Sequence, residues 1–366
     1  MRLLTRCLCS EWMAKKRKKK SSGNWKKILA IVLVIIVCLG GVSVWELYSM
    51  IYRPNVGFKV DEKYFYIPTG SVYHDVSNAL VEEGILINQA SFDWVSERKN
   101  YKLNVKAGRY KLEKGMSNNE LVNLLRSGEQ EPLMVTFNTV RFKEDLAGKV
   151  GDFIEADSTE IINLLNNDSY VSTYGFNTTT FLTLFLPNTY EFWWNTSAEE
   201  FVERMAKEYK KFWTAERKAK ANKLGLSQSE VSILASIVQK ETNKNDEKPT
   251  VAGVYLNRLK KGMLLQADPT LVYANRDFTA RRVLNRHKKV DSPYNTYKYK
   301  GLPPGPICLP SISSIDAVLN AKSHNYLYFC AKADGSGYHS FASTYREHLR
   351  NAREFQRELN RRKVYK

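Results

Sequence analysis

The sequence predicts an α+β protein with three parts: an N-terminal transmembrane helix, a small α+β module and a larger α+β domain. Three observations carry this. Residues 28–45, ILAIVLVIIVCLGGVSVW, contain no charge. Between residues 63 and 130 a strand-then-helix pattern is written twice. From residue 131 onward, strand-like alternation mixes with long amphipathic helical patterns, and a hairpin signature stands near the end.

The uncharged run is long enough to cross a bilayer as a helix, which takes roughly 18–20 apolar residues. A cleaved signal peptide is the alternative, but the run exceeds a usual h-region and no clear A-x-A-like site follows it. Trp25, Trp45 and Tyr48 flank it, where amphipathic rings favour the interface. Residues 1–27 hold ten Lys/Arg against one Glu, half of the net charge of +18. That places the basic segment 1–27 in the cytoplasm and the bulk of the chain across the membrane. Met13, followed by AKKRKKK, resembles a natural start. The remaining positive charge is diluted over more than 300 residues, so no nucleic-acid partner is expected. At 43% apolar and 26% charged, the composition is that of a globular chain. Of the five cysteines only Cys308 and Cys330 lie beyond the leader and the membrane run, and the fold does not depend on a disulfide.

Residues 46–62, with Pro54 and Gly57, read as a connector. The module 63–130 begins with strand-like KYFYIP, then a helix led by Ser71 and stopped at Gly84. NQASFDWVSERK is a short helix. GRYKLEKGM is strand-like again, and the helix after it starts at a Ser117–Glu120 capping box and stops at Gly128. No catalytic cluster lies in this module; a structural spacer and a binding module are equally good readings.

In the larger domain, 131–366, PLMVTFNTV alternates like a strand, and FLTLFLPNTYEFWWN contains a Pro-Asn turn signal. Residues 197–225 read as one long charged helix and the basic C-terminal segment as another. Ser227 and Glu230 form a capping box opening a helix whose apolar stripe runs Val231, Leu234, Ile237, Val238 and then Glu241. A glutamate on the core side of a last helical turn is desolvated and faces the negative helix end, and both effects raise its pKa. Such a side chain can act as a general acid. The competing reading is a glutamate bent into solvent at a frayed end. Pro249 and Gly262 frame the next helix. Asp268, before Pro269, reads either as an N-cap or as a second active-site carboxylate. SPYNTYKYKGLPPGP, residues 292–306, is a loop whose tyrosines and amides suit sugar rings, or a Pro-stiffened packing loop. YLYFCAKADGSGYHSF is a hairpin turning at Asp334-Gly335, and His339 within it is either a ligand or a strand histidine. The sequence holds no metal-ligand spacing, Gly-rich phosphate loop or Ser/Cys nucleophile motif, so no cofactor is expected.

ASIVQKET, VAGVYLNRLKKGMLLQADPTLVY, SPYNTY and GLPPGPI, in this order, resemble the YceG-like family of membrane-anchored endolytic murein transglycosylases over roughly residues 60–350. The small module is similar to that family's LysM-like domain. The family often carries two glutamates in the first motif; here the first is Gln239, leaving Glu241 for the catalytic role. Its P-D-T-Y motif is Pro187-Asn188-Thr189-Tyr190 here. The resemblance implies cleavage of the β-1,4 bond between N-acetylmuramic acid and N-acetylglucosamine within peptidoglycan glycan strands, leaving a 1,6-anhydro end. One carboxyl suffices for that, because the substrate's own hydroxyl is the nucleophile, whereas a typical glycoside hydrolase needs two carboxylates. It further implies an inner-membrane, single-pass protein with its catalytic domain outside the cytoplasm. Gln266, Asp268, Tyr294, Asn295 and Thr296 are expected to line the glycan cleft, and peptidoglycan synthases are candidate partners. A lysozyme-like hydrolase using Asp268 with Glu241, and a non-catalytic peptidoglycan-binding anchor, remain as alternatives.

Overall fold

The computed structural model describes residues 24–138, 140–279 and 283–361; the basic cluster Lys15–Lys20 lies outside them. The chain forms two compact units that interleave in sequence. The first comprises residues 1–63, 72–105 and 112–126, and the second 64–71, 106–111 and 127–366. The division therefore follows no single boundary near residue 130.

In the first unit, helix α1 (Asn24–Tyr52) is long and apolar enough to cross a membrane. Its side chains from Trp25 to Tyr48 are all exposed. The helix continues through residues 46–52, expected above to be connector. Nothing breaks it before Arg53, which precedes Pro54 and is thereby steered out of the helical region. Three short helices follow: α2 (Tyr73–Glu82), α3 (Gln89–Arg98) and α4 (Asn118–Ser127). They bury Leu80, Phe92, Val95, Leu121 and Leu125. Helix α2 starts after Val72 rather than at Ser71, because the Asp75 carboxylate accepts the Val72 N–H at 2.9 Å. Ser117 and Glu120 form the expected capping box on α4. A buried amide pair links three segments. Asn55 Nδ2 donates to Asn118 Oδ1 at 2.7 Å, Asn55 Oδ1 accepts the Asn88 N–H, and Asn118 Nδ2 donates to the Met50 carbonyl.

The second unit holds three two-stranded sheets: β1 (Glu62–Ile67) with β2 (Gly108–Glu113), β3 (Leu133–Phe137) with β4 (Asn188–Phe192), and β5 (Tyr328–Ala331) with β6 (His339–Ala342). β3 and β4 are antiparallel, with Leu133 opposite Phe192 and Phe137 opposite Asn188. Asn188 therefore opens a strand and not a turn, because pairing with β3 supplies the hydrogen bonds that a turn would otherwise make. Around the β3–β4 pair lie α5 (Lys143–Gly151), α6 (Ser158–Leu165), α7 (Asp168–Ser172) and α8 (Ala198–Phe212). The long helix expected over residues 197–225 is two helices. α8 ends at Trp213, which turns into the core, and Thr214 caps α9 (Ala215–Leu224). The centre of the unit is α10 (Gln228–Glu241), whose residues 231–238 are all buried. Packed on it are α11 (Lys248–Lys260), α12 (Asp268–Asn275) and α13 (Ile312–Leu319). The chain closes with the β5–β6 hairpin and α14 (Tyr345–Arg361). Cys308 and Cys330 are both free thiols.

Candidate active site

Helix α10 begins at the predicted box, with Ser227 N–H donating to Glu230 and Glu230 N–H to Ser227 Oγ. It ends at Glu241 because Thr242 adopts an extended backbone. The buried body of α10, residues 231–238, thus delivers one carboxyl at its C-terminal tip. Gln239, two residues earlier, points elsewhere: its Oε1 accepts from Ser311 N–H at 2.6 Å and Ser314 Oγ at 3.0 Å, tying α10 to the start of α13.

Tyr255 of α11 is 1% exposed and donates its hydroxyl to Glu241 Oε1 at 2.5 Å. Three residues on, on the same face of α11, Arg258 is buried. Its guanidinium donates to the carbonyls of Leu327 (2.6 Å) and Leu265 (2.7 Å). Helix α11 approaches closely because residue 253 is glycine: a Cβ there would lie 2.6 Å from both His324 Nε2 and the Lys322 carbonyl. Phe329 of β5 packs edge-on against the Tyr255 ring at 5.9 Å.

Glu241 is only partly buried as a residue, so it remains reachable, yet its carboxyl is desolvated by the surrounding protein. That desolvation is the main reason its pKa is pushed up to about 7. The Asp268 charge adds to the rise, while the Tyr255 hydroxyl and the Arg258 charge oppose it. Burial, followed by the Glu241 charge, pushes the Tyr255 phenol well above its ordinary value, so it stays a donor.

Asp268 is the first residue of α12 rather than its cap. The N-cap reading fails because Ala267 takes the cap position and its carbonyl, not the Asp268 carboxylate, accepts the Thr270 N–H, at 3.1 Å. The exposed Asp268 carboxylate instead accepts the Tyr297 hydroxyl at 2.5 Å. Gln266 adopts a left-handed backbone (φ 52°) held by its N–H to the Thr296 carbonyl, and its side chain is exposed. Asn295 and Thr296 are fully buried and spend their side chains inside the protein. Asn295 Nδ2 donates to the Lys288 and Val290 carbonyls, its Oδ1 accepts the Tyr297 N–H, and Thr296 binds Ala267 and Thr270. They shape the loop that presents Gln266 and Tyr297. Tyr294 packs on Tyr273 at 4.7 Å and lines a cleft of about 290 Å³ with Arg141, Phe142 and Arg276. Glu241 and Asp268 do not line that cleft.

Glu241 and Asp268 are therefore brought together electrostatically, Gln266 sits beside Asp268 in sequence, and Tyr294 lines a cleft that neither carboxylate borders. Sequence reasoning missed Tyr255, Arg258 and Tyr297. The spacing Val251, Tyr255, Arg258 marks one helical face and was the available signal for the first two. His339 is a strand histidine: its Nδ1 lies 2.8 Å from the buried Glu247 carboxylate, which also accepts its N–H.

The model of the YceG-like family matches residues 65–354. An endolytic murein transglycosylase of Bacillus subtilis (strain 168) is 30% identical over 304 residues, 77% of this chain and 81% of the relative. One of Streptococcus pneumoniae (serotype 2, strain D39) is 27% identical over 319 residues, and the chain spans only 57% of its length. The crystal structure of a yceG-like protein from Listeria monocytogenes is 27% identical, with a TM-score of 0.54 over 79% of this chain and 98% of that one. With the family model covering most of the sequence from β1 to α14, the chain belongs to the YceG-like family.

Proposed function

We propose that the protein is an endolytic murein transglycosylase in which Glu241 serves as both acid and base. The curated relatives carry that activity in their names. The observation that supports the residue assignment is a single carboxyl with a pKa near 7 at the tip of a buried helix, held by a tyrosine hydroxyl. Protonated Glu241 donates to the glycosidic oxygen, and the bond from that oxygen to the muramic acid C1 breaks. The muramic acid C6 hydroxyl bonds to C1, and its proton passes to the Glu241 carboxylate. The carboxyl ends as it began and no water is consumed. Tyr255 orients the carboxyl. Gln266 and Asp268 contact the glycan, Asn295 and Thr296 position their loop, and Tyr294 contacts the strand at a distance from the cleaved bond.

In this reading α1 crosses the membrane with its N-terminus in the cytoplasm, and the second unit works outside it beside peptidoglycan synthases. Residues 63–130 act as a LysM-like module that grips glycan. Purified Glu241→Gln should keep its fold and lose fragment release from peptidoglycan by at least about 10²-fold. Activity retained near the wild-type level would refute the assignment.

A further inference from the structure

We propose that the exposed arginine stripe of α14 binds anionic phospholipid headgroups and holds this helix to the membrane surface. Arg346, Arg350, Arg353, Arg357 and Arg361 recur at steps of four, three, four and four. At 100° per residue they occupy an arc of about 80° along roughly 22 Å of helix. All five are exposed. The other side of α14 faces the β5–β6 hairpin: Leu349, Ala352, Phe355 and Leu359 are partly buried, and His348 stacks on Tyr328 at 5.4 Å.

Helix stability does not explain the stripe. A solvated helix gains from alternating signs at i, i+4, whereas like charges stacked at that spacing cost it stability. Glu347, Glu354 and Glu358 stand to one side of the arginines. Glu347 lies 4.0 Å from Arg350 and Glu358 2.7 Å from Arg361. Among the described residues Arg346, Arg353 and Arg357 have no ion-pair partner. Three unpaired guanidinium groups in a straight row suit phosphate, which the planar fork engages bidentately. A straight row suits a flat array of phosphates. The same chain carries α1, so an anchored molecule holds this row at high local concentration beside a headgroup surface. A basic residue near an anionic leaflet raises partitioning by roughly fivefold, and the effect is screened by salt. The proposal rests on the anchored reading of α1.

Its test is arginine footprinting with phenylglyoxal, read by mass spectrometry, on the full chain in lipid nanodiscs. Discs of phosphatidylcholine alone are compared with discs containing phosphatidylglycerol. In the anionic discs, modification of Arg346, Arg353 and Arg357 should slow by about threefold or more, and high salt should restore it. Arg286, exposed elsewhere in the second unit, should react equally in both. Replacing Arg346, Arg353 and Arg357 together with Gln should remove the lipid dependence at Arg350. Equal rates in both lipids overturn the proposal, as does slowing matched at Arg286. Protection only by an added soluble phosphodiester polymer also overturns it. A chain that fails to enter the disc overturns the anchored reading and this proposal with it; equal rates in a chain that does enter overturn this proposal alone.

Discussion

At the scale of single residues, the proposed site is a trade of stability for chemistry at Glu241. Its ordinary pKa is 4.5 and the folded protein raises it to about 7. The fold therefore keeps a proton that the unfolded chain has released. The resulting cost is absent below pH 4.5, grows between pH 4.5 and 7, and is constant above, reaching at most about 3 kcal/mol. Glu241→Gln, which keeps an oxygen for Tyr255, should accordingly raise the melting temperature at pH 8 by several degrees, with little change at pH 4.5. Equal effects at both pH values would show that no such cost exists. Tyr255→Phe works in the opposite electrostatic sense. The hydroxyl donates to the carboxylate and favours it, so its loss raises the Glu241 pKa further. An acid catalyst needs its proton, so the alkaline limb of the pH–rate profile should move up by about one pH unit while the maximal rate falls about tenfold. A lower rate with an unmoved limb would leave Tyr255 a packing residue. Gln239 Oε1 accepts from Ser311 and Ser314, and a carboxylate oxygen accepts as well. Gln239→Glu should leave cleavage within about twofold of wild type, which a fragment-release assay measures.

Elements bring these residues together, and Gly253 shows how tightly. A methyl at 253 meets the Lys322 carbonyl at 2.6 Å, a backbone atom that cannot rotate away. Gly253→Ala should cost about 1–3 kcal/mol in urea unfolding and lower activity by displacing Tyr255. A variant as stable as wild type would mean that α11 has room to move. The elements also mark where the sequence was legible. The α10 stripe, both capping boxes and the hairpin were readable because their signals are local: periodicity, a capping side chain, a turn. The break in residues 197–225 was not, since a lone Thr214 is a weak local signal and the break is completed by Trp213 finding the core. The sequence allows Asp268 to be either a cap or an active-site carboxylate, and the cap reading fails for a related reason. Its carboxylate is engaged by the hydroxyl of Tyr297, 29 residues away in sequence, which no local pattern announces.

For the whole molecule, the candidate catalytic carboxyl could be found from the sequence, but its setting could not. Tyr255 and Tyr297 become partners of Glu241 and Asp268 only through the packing of α10, α11 and the loop before α13. The two-unit division was equally hidden, because residues 64–71 and 106–111 cluster with the second unit while the helices between them do not. The central claim is that a single carboxyl, with the sugar as its own nucleophile, performs the whole reaction. It is tested most directly by mass spectrometry of peptidoglycan fragments released by the wild-type protein. The account predicts muramic acid ends lighter by one water, in the anhydro form, with no label taken up from heavy-oxygen water. Reducing ends carrying that label would contradict it and assign Asp268 the hydrolase's second carboxylate.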